Sequence, residues 1–286
     1  MLKSKLAYIV SSISPTLFFT LAYLHNRRKM PNFKRPKDLS EIWIRKVLDG
    51  DNMRNYELAD KYLVRDFVQN KGYGYTLPTL LGVYEDPKQI DFSRLPEKFA
   101  IKMNYGARMN IIVTDKNKLN KQETIKLLNK WLTQKANYSN SERHYNKIQR
   151  KIIIEEFIDD GNGGFPIDYK FMCINGRVNC ILAVSGREDG KGKYLPFSPS
   201  WEPKYEYTKG RQSVPDSSSL KKPKNLADMI AIAERLAEGM DLVRIDLYSN
   251  QEKIWFGEIT LTPSGCIFHN WTQKALDDMG EEYRSK

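Results

Sequence analysis

The sequence predicts an α+β fold, in which antiparallel hairpins are interspersed with amphipathic helices and no internal repeat is evident. Two segments have the β-branched and aromatic composition of hairpins, residues 168–184 and residues 243–260. The clearest helical pattern covers residues 225–239, "NLADMIAIAERLAEG". The chain has 286 residues, of which 41% are hydrophobic and 28% are charged, so it can bury a full core and is not of the disordered class.

The first part of the chain alternates helix and strand signals. Ser40 and Asn120 are placed as helix N-caps, and Gly50 and Gly72 are placed where helices should stop. The resulting prediction is helices at 40–50, 57–74 and 120–134, and strands at 98–103, 110–113 and 151–158.

The second part begins with the hairpin at 168–184. Its Asn175-Gly176 pair favours the type I′ turn of a two-residue loop, which would place Lys170 opposite Ile181. Residues 186–224 are rich in Gly, Ser, Pro and Lys and are predicted to form a long loop. The following helix should bury a stripe formed by Leu226, Met229, Ile230, Ala233 and Leu236.

The basic charge is concentrated at the N terminus. The whole chain has a formal net charge of +11, but residues 1–37 contain eight Lys or Arg and no acid, which leaves +3 for the rest. Because the charge is confined to this tail and no recognition motif occurs, we do not expect a nucleic-acid partner. Three cysteines without disulfide or metal-site spacing indicate a reducing compartment, so we expect a cytoplasmic protein.

The apolar stretch at residues 6–24, "LAYIVSSISPTLFFTLAYL", leaves three interpretations open. It has about the length that spans a bilayer, roughly 20 residues, but Pro15 and several Ser and Thr dilute it. It can instead form two short helices that pack on the domain. The third interpretation is a peripheral contact of residues 1–37 with an anionic membrane surface, at the inner face of the plasma membrane, where each basic residue adds ~1 kcal/mol.

The hairpin at 243–260 carries one carboxylate in each of its apolar strands, Asp246 and Glu258. If the loop between the strands has an odd number of residues, both carboxylates project from one face, whereas an even number places them on opposite faces. On one face, beside Arg244 and Thr260, they would form an all-oxygen cluster of the kind that binds Mg²⁺. The competing interpretation is that both acids face solvent on an ordinary amphipathic hairpin.

Other polar residues indicate a nucleotide site without completing a known motif. Lys102 ends a predicted strand beside a turn, and Glu155 and Glu156 follow an apolar strand stem. Asp168 and Lys170 alternate on one strand face. A nucleoside triphosphate and its Mg²⁺ need such cations and carboxylates. No P-loop, dinucleotide-binding or nucleophile-elbow motif occurs, and the histidines and cysteines have no metal-ligand spacing.

Six short segments, taken in order, resemble the TupA-like family of the ATP-grasp superfamily. They are "DKYLVRDFV", "FAIKMNYGARMNIIV", "IIIEEFI", "DYKF", "VRIDLY" and "FGEITLTPSG". The resemblance implies an ATP-grasp fold, in which two α+β subdomains clasp ATP. They would occupy residues 59–150 and 151–286, after an N-terminal helical segment at 1–58.

The resemblance also implies which residues bind the nucleotide. Lys61 and Lys102 match the two lysines that contact the ATP phosphates, and Asp168 matches the acid that takes the ribose hydroxyls. The hinge strand that reads adenine would consist of Glu155, Glu156, Phe157 and Ile158.

One loop departs from the family pattern. Residues 104–110 read "NYGARMN" where relatives usually have "NHGSGxN", so Asn104 and Gly106 are kept while a Gly and the Ser are lost. Fewer glycines stiffen a loop that covers the phosphates. Either Arg108 replaces the lost N–H donors with a charged, forked donor, or closure over the phosphates is impaired.

The metal and catalytic positions complete the correspondence. The Mg²⁺ ligands would be Asp246, Glu258 and Thr260, the last at a position where the superfamily usually has Asn. Arg244 matches an arginine near the γ-phosphate and the acyl-phosphate, and Lys170 matches a basic position near the transferred phosphate. In the loop at 186–224, Arg187 suits contact with an anionic glycan acceptor, as do Lys191 and Lys193; the alternative is that these are solvated loop charges.

The implied activity is that of an ATP-dependent carboxylate–amine ligase that uses ATP and Mg²⁺ and acts through an acyl-phosphate. In polysaccharide pathways the acceptor would be a uronic-acid carboxylate of a capsular or cell-wall glycan, and its partner an amino acid or amine. Two alternatives stay open: an ATP-dependent sugar phosphotransferase, and a degenerate ATP-grasp domain that acts as a nucleotide-binding scaffold.

Overall fold

The computed structural model describes residues 9–134, 142–161, 164–186, 192–210, 216–217 and 220–285. After a helical stretch at 9–13, the α-helices are α1 (Pro15–Arg27), α2 (Leu39–Leu48), α3 (Asp51–Arg54), α4 (Val64–Asn70), α5 (Lys121–Thr133), α6 (Leu226–Leu236) and α7 (Gln273–Arg284). The strands are β1 (Leu80–Tyr84), β2 (Phe99–Met103), β3 (Asn110–Val113), β4 (Ile152–Glu156), β5 (Ile167–Ile174), β6 (Arg177–Ser185), β7 (Lys193–Phe197), β8 (Leu242–Ser249) and β9 (Ile254–Thr260). Short 3₁₀ helices lie at Tyr56–Ala59, Gly74–Thr76, Pro87–Gln89, Phe92–Arg94, Lys116–Lys118, Arg143–Lys147, Tyr205–Tyr207 and Pro263–Cys266.

The strands form two sheets in which all neighbouring strands are antiparallel. The first sheet has the order β1-β4-β2-β3, and the second has the order β7-β6-β5-β8-β9. Helices pack against both sheets, so the α+β class predicted from the sequence is confirmed.

Each sheet buries one face and turns charged side chains to the other. In the first sheet, Ile101 and Ile154 pack into one core with α5. In the second, Phe171 and Ile245 pack into another core with α6. Because side chains alternate along a strand, the neighbouring residues project from the reverse faces. These reverse faces carry Lys102 and Glu155 in the first sheet, and Lys170 and Asp246 in the second.

A further core closes one end of the second sheet with the N-terminal helices. α1 contributes Phe19 and Tyr23, and α2 contributes Trp43, whose indole nitrogen donates a 2.6 Å hydrogen bond to the carbonyl of Leu261. The packed-helix interpretation of residues 6–24 is therefore correct for α1; residues 1–8 lie outside the described residues. Of the helices that the structure describes, none is both long and apolar enough to cross a bilayer.

Several local predictions need correction. α2 is capped by Asp38 rather than Ser40. The Asp38 side chain accepts a hydrogen bond from the Glu41 amide, and the Glu41 side chain accepts one from the Asp38 amide, which together form a capping box. The helix predicted at 57–74 is a 3₁₀ turn followed by α4, since Asp60 interrupts it by accepting hydrogen bonds from the next amides. α6 buries Ile232 in place of Ile230.

The hairpin and loop predictions in the second sheet also change in detail. Residues 186–224 are not a continuous loop, because β7 adds an edge strand to the sheet. The type I′ turn is confirmed by positive φ angles at Asn175 (53°) and Gly176 (76°). A bulge after Met172 then shifts the register, so Lys170 lies opposite Leu182 rather than Ile181.

The boundary between the two sheets lies later than the predicted subdomain boundary at residues 150 and 151. β4 pairs with β1 and β2 and so belongs to the first sheet. By sheet membership the division falls after Glu156; the division into two subdomains itself stays a prediction.

Candidate active site

Charged residues from three neighbouring strands form a row on the open face of the second sheet. Lys170 of β5 lies opposite Asp246 of β8, and Asp246 lies opposite Glu258 of β9. Directly paired residues project from the same face. Asp246 and Glu258 therefore share a face, as a common metal site requires.

A bulge in β9, and not the length of the loop between the strands, produces this alignment. The loop between β8 and β9 is residues 250–253, an even number, which on its own would place Asp246 and Glu258 on opposite faces. A bulge corrects the register, because Leu247 pairs with Phe256 while Asp246 pairs with Glu258, leaving Gly257 as the extra residue. A Cβ on Gly257 would lie 2.9 Å from the Asp246 carbonyl oxygen, so only glycine fits this bulge without movement of the backbone.

Arg244 bridges the two carboxylates. Its Nε and Nη2 donate to Asp246 at 2.6 and 2.7 Å, and Nη2 also donates to Glu258 at 3.0 Å and to the Thr260 hydroxyl at 2.8 Å. Lys170 Nζ contacts Asp246 and lies 2.8 Å from Asp168 Oδ2. Two cations therefore lie among three carboxylates on this face, which leaves one excess negative charge.

This network governs the ionisation of Asp246, which is only 2% exposed. Burial alone would raise the pKa of the Asp246 carboxyl, but the charges and hydrogen bonds of Arg244 and Lys170 outweigh burial and hold its pKa below the ordinary value. Burial likewise works against the Arg244 cation, yet Asp246 and Glu258 raise its pKa. Both groups are therefore ionised at neutral pH.

The donor atoms at this position fit Mg²⁺. Asp246, Glu258 and Thr260 offer only oxygen, which Mg²⁺ prefers, and the Arg244 guanidinium already occupies a place where positive charge is favoured. Within the described residues, no group of three or more His, Cys, Asp or Glu side chains forms a complete metal site. Mg²⁺ commonly takes its remaining ligands from phosphate and water, so two carboxylates and a hydroxyl are compatible with it.

The first sheet and its connections bring two lysines to the same region. Lys61 lies between the first 3₁₀ helix and α4, and its Nζ donates to the Gly106 carbonyl at 2.8 Å and lies 3.9 Å from Glu258 Oε2. Burial lowers the pKa of Lys61, so an additional anion nearby would favour its charged form. Lys102 Nζ pairs with Glu155 at 2.8 Å. The structure thus places Lys61 beside the expected metal ligand Glu258.

Glu155 is held from two sides. It is 5% exposed, and besides Lys102 it pairs with Arg65 Nη1 of α4 at 2.9 Å. Arg65 was not among the predicted site residues, because no local pattern links it to Glu155. Each carboxylate oxygen of Glu155 is thus held by one cation in this structure.

The loop at 104–110 is anchored by Asn104. The Asn104 amide donates to Asp60 and to the Gln149 carbonyl, each at 2.9 Å, and its oxygen accepts from the Lys151 amide at 2.7 Å. A fully buried side chain with these partners positions the loop that is predicted to cover the phosphates. Asp60 was not predicted to take part in this region. An Asp at a helix start commonly forms an Asx turn, as Asp60 does by accepting a hydrogen bond from the Tyr62 amide, and this was the available signal.

Arg108 occupies an unusual backbone conformation in this loop. Its φ angle is +63°, and that of Gly106 is +69°. The left-handed region favours glycine, which explains why relatives have Gly at the position that Arg108 occupies here. The Arg108 side chain is exposed, so its guanidinium is accessible to a ligand.

The hinge residues lie where β4 leaves the first sheet and approaches β9. Glu156 accepts from the Thr79 hydroxyl at 3.0 Å and from Trp255 Nε1 at 3.3 Å. Phe157 lies edge-to-face with Phe165, at 5.9 Å between ring centroids. Ile158 follows as a half-buried residue. Trp255 was not predicted as part of this region.

The structure therefore brings most of the predicted site residues together, and Asn104 anchors the loop that carries two of them. The clustered positions are Lys61, Lys102, Gly106, Arg108, Glu155, Glu156, Phe157, Ile158, Asp168, Lys170, Arg244, Asp246, Glu258 and Thr260. Arg187 lies outside the described residues. Between the two sheets, cations from one side face carboxylates on the other, an arrangement that can hold polyphosphate and a divalent cation.

This chain is similar to a known protein family and to solved structures. A family model described as TupA-like ATPgrasp matches residues 40–284. No curated protein matches the sequence.

Among solved structures, a D-alanine–D-alanine ligase from Bacillus anthracis has a TM-score of 0.45 and 13% identity, covering 79% of this chain and 67% of its own. The D-alanine–D-alanine ligase from Helicobacter pylori has a TM-score of 0.44 and 12% identity, covering 80% and 59%. For the D-cycloserine synthetase DcsG, the TM-score is 0.43 and the identity 12%, covering 80% and 71%. This chain thus spans between 59% and 71% of the length of these neighbours.

Proposed function

The chain belongs to the TupA-like ATP-grasp family, whose model matches residues 40–284, and we propose that it is an ATP-dependent ligase that joins a carboxylate to an amine. Its two antiparallel sheets are those of the ATP-grasp fold. The single observation that carries the proposal is the row of Lys170, Asp246 and Glu258 on the second sheet, with Lys61 Nζ 3.9 Å from Glu258.

The nucleotide would lie between the sheets. Lys61 and Lys102 would exchange their present contacts with Glu258 and Glu155 for the phosphates of ATP, with exposed Arg108 as a further cation. Residues 156–158 would contact adenine beside Trp255, and Asp168 would accept from the ribose hydroxyls. Glu155 keeps Arg65 and Glu258 keeps Arg244 as partners, so neither carboxylate is left unpaired when the two lysines turn to the phosphates.

Asp246, Glu258 and Thr260 would hold Mg²⁺, which when bound supplies positive charge to the phosphate oxygens. Arg244 and Lys170 lie on the same face and would stabilise charge on the phosphoryl group during its transfer. Their hydrogen bonds to Asp246 keep both cations in place before the substrate arrives, which lowers the cost of ordering them.

The chemistry would proceed in two steps. A carboxylate oxygen of the acceptor attacks the γ-phosphorus of ATP, the bond from that phosphorus to the bridging oxygen breaks, and ADP leaves with the electron pair. An amine then attacks the acyl carbon, phosphate leaves, and the amine nitrogen loses a proton, which yields an amide. Positioning and charge stabilisation account for the role of the protein in the first step.

We propose a uronic-acid carboxylate of a capsular or cell-wall polysaccharide as the acceptor and an amino acid or small amine as its partner. The protein would act in the cytoplasm. Arg187, in the predicted acceptor region, would contribute a cationic contact to the acceptor.

The test is a product assay. The full chain is incubated with Mg·ATP, a panel of uronic acids and pooled amino acids, and products are identified by mass. An amide formed together with ADP supports the ligase. A phosphorylated sugar would establish the phosphotransferase instead, and ATP binding without any product would establish the nucleotide-binding scaffold.

Glu258→Gln provides the site-directed arm of this assay. The substitution removes one of the two carboxylates expected to hold Mg²⁺, so we expect turnover to fall by about 100-fold or more while the thermal midpoint stays close to wild type. Glu252→Gln, an exposed change in the turn of the same hairpin, is the matched control and should retain activity. Near-normal turnover in Glu258→Gln would contradict the metal assignment.

We also propose that α1 and the preceding residues contact an anionic membrane surface. Leu17, Leu21 and Leu24 recur at helical spacing and are 49%, 51% and 37% exposed, and Ile13 extends the stripe at 80%. The basic residues of the 1–37 segment provide the complementary charge for anionic lipid.

Leu21→Glu tests this surface without removing α1, whose Phe19 and Tyr23 fill the N-terminal core. Losing a membrane-buried leucine should weaken co-sedimentation with phosphatidylglycerol vesicles by about 10-fold. Thr16→Glu adds the same charge at an exposed position on the flank of the stripe and serves as the control. Equal vesicle binding by Leu21→Glu and wild type would remove the proposal.

A further inference from the structure

A second recess lies on the open face of the second sheet, beside the charged row. Leu182 of β6 is paired with Lys170 on one side and with Pro196 of β7 on the other, so these residues face the same way. Leu182, Pro196 and Tyr194 form the floor of an open cavity of about 130 Å³. Neighbouring strands are about 4.8 Å apart. Leu182 therefore lies one strand spacing from Lys170, and Tyr194 and Pro196 lie on the next strand, two spacings away.

The walls of this cavity are polar and cationic. They include Thr208 and Lys209 on one side, and Ser264 and His269 on the loop that follows β9. Burial lowers the pKa of Lys209, and the positive charge of Arg27 lowers it further. Burial also lowers the pKa of His269, which is lowered further by Arg27, Lys209 and His25. Cations that disfavour each other's charge are stabilised when an anion binds among them.

The loop bearing His269 is held in place by α1. Arg27 donates from Nη1 to the Trp271 carbonyl at 2.8 Å, and from Nη2 to the carbonyls of Ile267 at 3.0 Å and Phe268 at 2.5 Å. The ring Nδ1 of His269 is hydrogen-bonded to the Asn26 side chain. The cationic wall is therefore fixed before any ligand binds, which favours recognition of a specific group.

From these contacts we propose that the cavity binds an anionic sugar unit of the acceptor, with Lys209 and His269 holding its carboxylate or phosphate. Tyr194 and Trp271 offer aromatic surface to the apolar face of a sugar ring, and Thr208, Ser264 and Asn270 offer hydrogen-bonding groups to its hydroxyls. The inference rests on the proposed function, since the cavity would anchor the acceptor while the reacting carboxylate lies nearer Lys170.

The test uses the three histidines of the chain as reporters, because His25, His144 and His269 can be told apart by NMR of their ring protons. Sodium glucuronate, glucose 1-phosphate, inorganic phosphate and neutral glucose are titrated separately, without ATP. His269→Asn assigns the His269 signal. We expect glucuronate or glucose 1-phosphate to shift the His269 signal and to raise its pKa, because a bound anion favours imidazolium.

Neutral glucose should leave the His269 signal unchanged, and inorganic phosphate should bind more weakly than the sugar anions. Lys209→Gln should weaken sugar-anion binding by about 10-fold or more, since it removes a charge-assisted contact. Exposed Lys221→Gln is the matched control and should bind as wild type does.

The inference is overturned if neither sugar anion moves the His269 signal, if Lys209→Gln binds as tightly as wild type, or if glucose or phosphate binds as well as the sugar anions. These results are separable from the proposed function. Sugar-anion binding without any turnover would remove the ligase and keep the subsite, whereas amide formation unaffected by Lys209→Gln would do the reverse.

Discussion

Gly257 is the residue on which the alignment of Asp246 and Glu258 depends. It is the unpaired residue of the bulge in β9, and its Cα faces the Asp246 carbonyl so closely that a methyl group would lie 2.9 Å away. Without the bulge, a four-residue loop would turn Glu258 to the opposite face. One glycine thus decides whether the hairpin can offer two carboxylates to one cation.

Gly257→Ala should therefore disturb the site more than the fold. We expect the strand to shift and turnover in the product assay to fall by about 10-fold or more, since misplacement by about 1 Å can cost more than that. Gly176→Ala is the control. Because Gly176 has a φ of +76°, the alanine should lower the stability of the fold by about 1 kcal/mol. An added Cβ there would meet open space, and the residue lies away from the charged row. Equal activity losses in the two variants would show that the bulge has no special role.

At the scale of elements, α2, the start of β8 and α7 are tied together by Asp241. Lys46 of α2 lies 2.7 Å from Asp241 Oδ1, and Tyr283 of α7 donates a 2.9 Å hydrogen bond to Asp241 Oδ2. Burial alone would raise the pKa of Asp241, but the hydrogen bonds and the charge of Lys46 hold it below the ordinary value. The lowered pKa means that ionised Asp241 stabilises the folded chain.

This contribution to the free energy of unfolding should be present above about pH 4, the ordinary range of an Asp carboxyl. It should be lost as the pH falls through the lower pKa of the folded state. Asp241→Asn should destabilise the protein at pH 7 by about 1 kcal/mol or less, because the pair is partly exposed, and the difference from wild type should shrink in acid. Urea unfolding between pH 7 and pH 2 measures this.

Glu281→Gln, an exposed change on α7, is the control for that series and should differ from wild type by the same amount at each pH. If the effect of Asp241→Asn were independent of pH, the ion pair would not be the source of the stability. The same three elements hold α1, whose Arg27 fixes the loop between β9 and α7. The packing of α1 against these three elements is therefore also needed to hold the loop of the proposed acceptor subsite in place.

At the scale of the whole molecule, two of the three cores bury the three cysteines of the chain. Cys173 and Cys266 are fully buried and Cys180 is 1% exposed. Burial raises the pKa of the Cys180 thiol to about 12 and also raises that of Cys173. The thiols of Cys173 and Cys180 are therefore neutral at physiological pH, and all three cysteines are free and buried, which agrees with the absence of a disulfide framework in the sequence.

We therefore expect no rapid reaction of the native protein with Ellman's reagent at pH 8, and three reactive thiols in denaturant. A Ser285→Cys variant, at an exposed position, supplies a positive control and should react at once with one equivalent. Rapid modification of native wild-type protein would mean that one of the cores opens on that time scale.

Local signals in the sequence were sufficient for much of this structure. The strand stems at β2, β4 and β8, the Asn175-Gly176 turn and the Asn120 cap all follow from side-chain pattern and turn chemistry, which act over a few residues. The charged positions at Lys102, Asp168 and Asp246 could be selected for the same reason, because each interrupts an apolar strand.

Only the tertiary structure decided how these residues meet. The bulge at Gly257, the pairing of Arg65 with Glu155 and the commitment of Asn104 to Asp60 join residues that no local pattern links. Periodicity reports which face a side chain takes within its own strand, whereas register and long-range pairing depend on packing between elements. The sequence thus determined that Asp246 and Glu258 lie in the two strands of one hairpin, and one bulge in the folded chain determined that they lie opposite each other.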